Sequence, residues 1–163
     1  MAQAIEILLV EDDPVDVQMT RRELEKDSRV RIEVARDGEE ALDFLFCRGA
    51  FSDRSPGNPP QLVLLDLKLP KIDGIQVLRE LKARQETRAI PVVALTSSRE
   101  ERDVVESYRL GVNSYIQKPV DFEKFRETIS AVGTYWATVN QSPPEKAFAH
   151  GGNAARIPDA GGS

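Results

Sequence analysis

Carboxylates, hydroxyls and a lysine sit where short apolar runs stop. IEILLV (5–10) is followed by Glu11, Asp12 and Asp13; LVLL (62–65) runs straight into Asp66; VVAL (92–95) ends at Thr96, Ser97 and Ser98; SYI (114–116) leads to Lys118 and Pro119. Carboxylates gathered at one place repel one another unless they are protonated or neutralised, and a hard dication with oxygen ligands is the usual solution. Magnesium is the expected ion. Beside such an ion Asp66 is suited to attack phosphorus as a carboxylate nucleophile, giving an aspartyl phosphate, while the ion and a lysine neutralise the phosphoryl oxygens. Lys118 and the Thr96 hydroxyl have the chemistry to assist. Asp13 reads instead as a helix cap, because Pro14 follows it at a position suited to the first turn. Asp66 has no helix start beside it to cap, since Leu67 to Pro70 delay the next one.

The elements that would position these groups alternate. Strands are read at Ile5 to Val10, Val30 to Ala35, Leu62 to Leu65, Val92 to Leu95 and Ser114 to Ile116. Helices are read from about Pro14 to Lys26, Asp37 to Cys47, Gly74 to Arg84 and Arg99 to Leu110, with a fifth after Asp121. The second strand alternates apolar and charged residues, as an edge strand with one wet face does, whereas the others are continuous apolar runs. Apolar strands alternating with helices imply a parallel sheet covered on both faces, an α/β open sandwich. In such sheets ligands bind beyond the carboxyl ends of the strands, where the residues above fall. The loop between Arg48 and Gln61, rich in Gly, Pro and Ser, is long for a compact domain.

Composition narrows the chemistry further. In 163 residues, 22 Lys and Arg against 27 Asp and Glu leave a net charge of −5, the wrong sign for counterion-release binding to nucleic acid. One Cys (Cys47) and one His (His150) exclude an internal disulfide and any four-ligand His/Cys zinc site, and suit a reducing, cytoplasmic setting. No apolar run approaches the roughly 18 residues of a membrane span, and the N-terminus does not resemble a signal sequence. Residues 141–163 contain 4 of the 10 Gly and 3 of the 10 Pro, without apolar periodicity, and read as a flexible tail after a domain spanning 1–140. The only histidine is in that tail, so the folded part has none.

VED after the first strand, LLDLKLPKIDG around the third, VVALTSS at the fourth and SYIQKP at the fifth resemble the receiver domain of two-component response regulators, from Ile5 to about Val139. The resemblance implies a flavodoxin-like (βα)5 fold, with a five-stranded parallel sheet in the order 2-1-3-4-5. It also implies roles. Glu11 and Asp12 would hold Mg²⁺ together with Asp66 and the backbone carbonyl of Lys68. Asp66 would be the phosphoacceptor, Lys118 the conserved lysine, and Thr96 and Tyr115 the switch pair, with a cis Lys118–Pro119 bond. Such a protein is a phosphoacceptor regulator, catalysing only its own phosphorylation and dephosphorylation. Its phosphodonor is a sensor histidine kinase.

The tail is too short for an output module, so the regulator is expected to stand alone and to signal through a downstream protein or a phosphotransfer partner, not through nucleic acid or membrane. Phe122, Phe125, Ile129, Val132, Trp136 and Val139 form a heptad seam on the last helix. Its inner part packs on the sheet. From Asp121 to Val139 that helix would be about 28 Å long against roughly 20 Å for a short strand, so Tyr135, Trp136 and Val139 are expected to project and form a homodimer or partner contact. The long loop, the VEDDPVD opening and the aromatic helix end resemble the small regulators paired with cyanobacterial and bacterial phytochromes, which implies a phytochrome-type kinase and a dimer through the helix 4, strand 5 and helix 5 face. Two residues are expected to overhang the phosphoryl group and tune its lifetime: Lys68, two after Asp66, and Ser98, two after Thr96. A degenerate receiver used only for binding is disfavoured by the complete residue set. A flavodoxin-like phosphate or nucleotide binder is disfavoured by acids where a phosphate cradle is needed. A haloacid-dehalogenase-like phosphatase would carry its nucleophile after the first strand.

Overall fold

The computed structural model describes residues 4–148. Five strands, β1 (Ile5–Val10), β2 (Val30–Ala35), β3 (Leu62–Leu65), β4 (Val92–Thr96) and β5 (Ser114–Gln117), form one parallel sheet in the order β2-β1-β3-β4-β5. Helices α1 (Pro14–Leu24), α2 (Gly38–Leu45), α3 (Gly74–Ala83), α4 (Glu101–Arg109) and α5 (Phe122–Thr134) alternate with them. All the helices read from the sequence are present, the first four with ends shifted by less than a turn.

Strand alternation sorts the core into two layers. Ile7, Leu9, Leu62, Leu64, Val93 and Leu95 face α1 and α5, meeting Val17, Leu24, Phe125, Ile129 and Val132. Leu8, Val10, Val63, Leu65, Val92 and Ala94 face the other way, onto α2 and α3 through Ala41, Leu42, Phe44, Val77, Leu78 and Leu81. α4 is held more lightly: Ser107 is its one buried residue, and Val105 and Tyr108 are exposed. β2 lies at the sheet edge with alternating buried and exposed residues, as its pattern predicts.

Three expectations are corrected. The tail does not begin at Gln141, because the chain keeps packing to Phe148. A 3-10 turn (Glu145–Phe148) delivers the Phe148 ring into the α2/α3 layer, where it is 7% exposed. One large aromatic ring buried against the core outweighs the lack of periodicity around it. Residues 149–163, His150 among them, lie outside the described residues. The last helix does not continue as an α-helix to Val139. Tyr135–Val139 form a π turn, closed by the Asn140 amide donating to the Tyr135 carbonyl at 2.7 Å. The Thr138 hydroxyl donates to the Thr134 carbonyl and so competes for the helical ladder. The turn breaks the seam: Trp136 packs half-buried against the α1/α5 layer and edge-on to Tyr135 at 5.2 Å, while Tyr135 and Val139 face out. Lastly, no peptide bond among the described residues is cis, so Lys118–Pro119 keeps the trans form that even X–Pro bonds favour by about 0.5–1 kcal/mol.

Candidate functional site

The site lies at the carboxyl ends of β1, β3, β4 and β5, the four strands other than edge strand β2. β1 ends into Glu11, Asp12 and Asp13. Asp13 turns away to cap α1, its Oδ1 accepting from the amides of Val15 at 2.8 Å and Asp16 at 3.2 Å. Glu11 turns inward and is 3% exposed, with its Oε1 accepting from the Asp13 amide at 3.1 Å. β3 delivers Asp66, 5% exposed, whose Oδ1 accepts from the Lys68 amide at 3.1 Å. The backbone beyond Asp66 is held by Gly74, whose amide donates to the Leu67 carbonyl at 3.0 Å. A Cβ at Gly74 would lie 2.2 Å from the Asp66 carbonyl oxygen, so only glycine lets α3 start that close to Asp66. Asp73 caps α3 through the Gln76 amide at 2.9 Å.

Lys118 reaches in from the end of β5, its own amide tied to the Thr96 carbonyl at 2.7 Å. Its ammonium donates to Glu11 Oε2 at 2.7 Å, Asp16 Oδ2 at 2.8 Å and Asp66 Oδ2 at 3.0 Å. Burial alone would lower the Lys118 ammonium, but the hydrogen bonds to Asp16 and Glu11 and the charge of Asp66 outweigh it and hold the group above its ordinary value. Glu11 goes the other way. Burial pushes it up to about 8, with the Asp66 charge adding to that and the Lys118 bond opposing it.

Glu11, Asp12 and Asp66 each place a carboxylate oxygen within 4.8 Å of the others. These are hard oxygen donors; three carboxylates, Glu11, Asp16 and Asp66, bond one ammonium and Asp12 adds a fourth charge beside them, an excess of negative charge that suits a small divalent cation. The residues present therefore fit the ion that the sequence implies.

Thr96 is fully buried at the end of β4, its Oγ1 accepting from the Ser98 amide at 3.2 Å. Tyr115, on β5, is half-buried and donates its hydroxyl to the Ser98 carbonyl at 3.2 Å. Burial raises its phenol above the ordinary value, against the Ser98 bond. Ser98 and Lys68 do converge, but on a third residue. Asp103 Oδ2, in the first turn of α4, accepts from Ser98 Oγ at 2.5 Å and lies 3.4 Å from Lys68 Nζ.

The structure thus brings Glu11, Asp12, Asp66 and Lys118 into one cluster, with Thr96, Tyr115, Ser98 and Lys68 along the adjoining β4 and β5 ends and the β3–α3 loop. Tyr135, Trp136 and Val139 are far along the chain on the π turn, Trp136 committed partly to its own core. Sequence reasoning missed Asp16 and Asp103. Asp16, in the first turn of the capped helix, looks like an ordinary dipole-favouring acid there. Asp103 offered no signal either.

The comparisons agree with this geometry. Residues 7–130 match the model of the response regulator receiver domain. Response regulator Rcp1 of Synechocystis is 40% identical over 132 residues, covering 80% of this chain and 87% of that protein. The crystal structure of its Mn²⁺-bound form superposes with a TM-score of 0.81, covering 86% of this chain and 99% of that one at 35% identity. The phosphorylated cyanobacterial phytochrome response regulator RcpA gives a TM-score of 0.82 at 34% identity, over 86% of this chain and 99% of that one. The bacteriophytochrome response regulator AtBRR is 51% identical at a TM-score of 0.66, over 85% of this chain and 99% of that one. With the family model matching residues 7–130 and relatives of the same family at 40% identity over most of their length, the chain belongs to the two-component response regulators, as a receiver domain related to phytochrome-associated members.

Proposed function

We propose that this receiver takes a phosphoryl group onto Asp66 from a phosphohistidine of a sensor histidine kinase of the phytochrome type. The observation that carries the reading is the buried Asp66 carboxylate with the Lys118 ammonium 3.0 Å from its Oδ2, inside an acidic cluster that needs a cation. Asp66 attacks phosphorus, its O–P bond forms as the donor's P–N bond breaks, and the electron pair stays on the imidazole nitrogen, which takes a proton from solvent. Water reverses the addition by attacking phosphorus, releasing inorganic phosphate and restoring the carboxylate. Lys118 stays protonated through both steps and faces the developing charge. Glu11, Asp12, Asp66 and the Lys68 carbonyl would hold Mg²⁺, which when bound neutralises charge on the phosphoryl oxygens.

Phosphorylation gives the Thr96 hydroxyl and the Tyr115 ring a second arrangement to adopt, and α4, β5 and α5 form the face whose shape a downstream protein or phosphotransfer partner reads. The light packing of α4 supports this assignment. The phytochrome link rests on the likeness to RcpA and AtBRR and on the long 48–61 loop; a cytoplasmic setting accords with a kinase donor. Tyr135 and Val139, 48% and 68% exposed, with the edge of Trp136, supply a homodimer contact. Sedimentation of a Tyr135→Ala/Val139→Ala protein is expected to show a smaller species than wild type; equal mass and equal partner binding would end that assignment.

Incubation with acetyl phosphate and Mg²⁺, followed by intact mass, tests the central reading: wild type gains one phosphoryl group and Asp66→Asn gains none. No gain in wild type would leave a receiver-shaped binding module.

A further inference from the structure

The β3–α3 loop and the β4–α4 loop flank the acceptor, and one oxygen of α4 joins them. Lys68 is anchored by its backbone to Asp66, its amide donating to Asp66 Oδ1 at 3.1 Å, yet its ammonium goes to Asp103 Oδ2 at 3.4 Å. Ser98 is anchored by its amide to Thr96 Oγ1 and by its carbonyl to the Tyr115 hydroxyl, while its own hydroxyl goes to the same Asp103 oxygen. Glu100, the residue before α4, offers no side-chain cap, and the Asp103 side chain is 14% exposed against 55% for Lys68. The start of α4, a helix with one buried residue, is therefore held through Asp103 to Lys68, whose amide bonds Asp66, and to Ser98, whose amide bonds Thr96.

We propose that Asp103 is a positioning residue that competes with the phosphoryl group on Asp66 for the Lys68 ammonium. Lys68 pairs with Asp103 when Asp66 is bare. A phosphoryl dianion on Asp66 presents more charge to the same ammonium, on the residue's own loop, and draws it off α4. Lys68 then shields the phosphoryl group from water, and Asp103 keeps only its bond from Ser98. By reciprocity, whatever holds Asp103 against Lys68 shortens the life of the phosphoryl group. This regulation rests on Asp66 phosphorylation as proposed above.

The test is the decay of phosphorylated protein, followed by intact mass after the donor is removed, in wild type, Asp103→Asn, Asp103→Glu, Lys68→Ala and Lys68→Ala/Asp103→Asn. Asp103→Asn keeps an acceptor for Ser98 and removes the charge that holds Lys68. Its phosphoryl lifetime is expected to lengthen roughly 1.5- to 5-fold, the range of a partly exposed ion pair. Asp103→Glu restores the charge and is expected to decay near the wild-type rate. In the Lys68→Ala background Asp103→Asn is expected to change nothing. An unchanged or shorter lifetime in Asp103→Asn, or the same change with and without Lys68, overturns the inference. Unfolding curves of each variant separate a folding defect from a change in lifetime, and the Asp103→Glu result stands if Asp103→Asn is unstable. A wild type that takes up no phosphoryl group defeats the phosphoacceptor reading itself and this inference with it.

Discussion

At the amino ends of the strands the polar groups are matched nearly one to one. Glu6 pairs with Arg54 at 3.1 Å, Gln61 Oε1 accepts the Glu6 amide, and Asn113 Oδ1 accepts the Val92 amide at 2.9 Å. Arg54 also lies over the Phe44 ring at 3.5 Å, and Phe148 enters the α2/α3 layer from the C-terminal segment. At the carboxyl ends Lys118 alone bonds three carboxylates, and Asp12 adds a fourth charge beside them. Buried charges in excess of their partners are costly, so the two ends differ: one is built to hold the fold, and the other, under the function proposed above, keeps negative charge in reserve for a cation and a phosphoryl group.

Removing the ammonium should sharpen this contrast most. Lys118→Ala leaves Glu11 and Asp66 buried without their counter-ion and is expected to lose about 3 kcal/mol in denaturant unfolding with chelator present, part of it recovered by added Mg²⁺. Equal stability with and without the cation would show that the carboxylates are not what the lysine offsets. At the opposite end, Phe148→Ala is expected to lose about 2 kcal/mol, the worth of a buried aromatic ring, while phosphoryl uptake stays as in wild type. A change in uptake would break the division between the two ends. The smallest effect runs in the other direction: Asp12→Asn relieves repulsion and should gain about 0.5 kcal/mol in chelator while binding Mg²⁺ more weakly by calorimetric titration. A loss of stability there would place Asp12 among the structural acids.

Legibility from the sequence follows the range of the interactions. Strand runs, helix caps and the residues just past each strand are local, and so Asp13 was readable as a cap, and Asp66, Thr96 and Lys118 as a set at successive strand ends. Asp16 was hidden because its segment, DDPVD, reads as an ordinary capped helix start; only the arrival of Lys118 from β5 gives it a partner. Asp103 joins two loops distant in sequence and sits in a helix whose acids look solvated. Phe148 lies among Pro, Ala and Gly, where composition argues for a loose tail, and its burial depends on a surface built elsewhere. The π turn was missed because a heptad seam assumes an unbroken ladder, which the Thr138 hydroxyl disturbs.

The most direct measurement is the location of the phosphoryl group. Wild-type protein treated with acetyl phosphate and Mg²⁺, then digested and sequenced by mass spectrometry, should carry one alkali-labile, hydroxylamine-sensitive phosphoryl group on the peptide containing Asp66, and none when Mg²⁺ is chelated. A phosphoryl group on another residue, or one that persists in Asp66→Asn, would contradict the account.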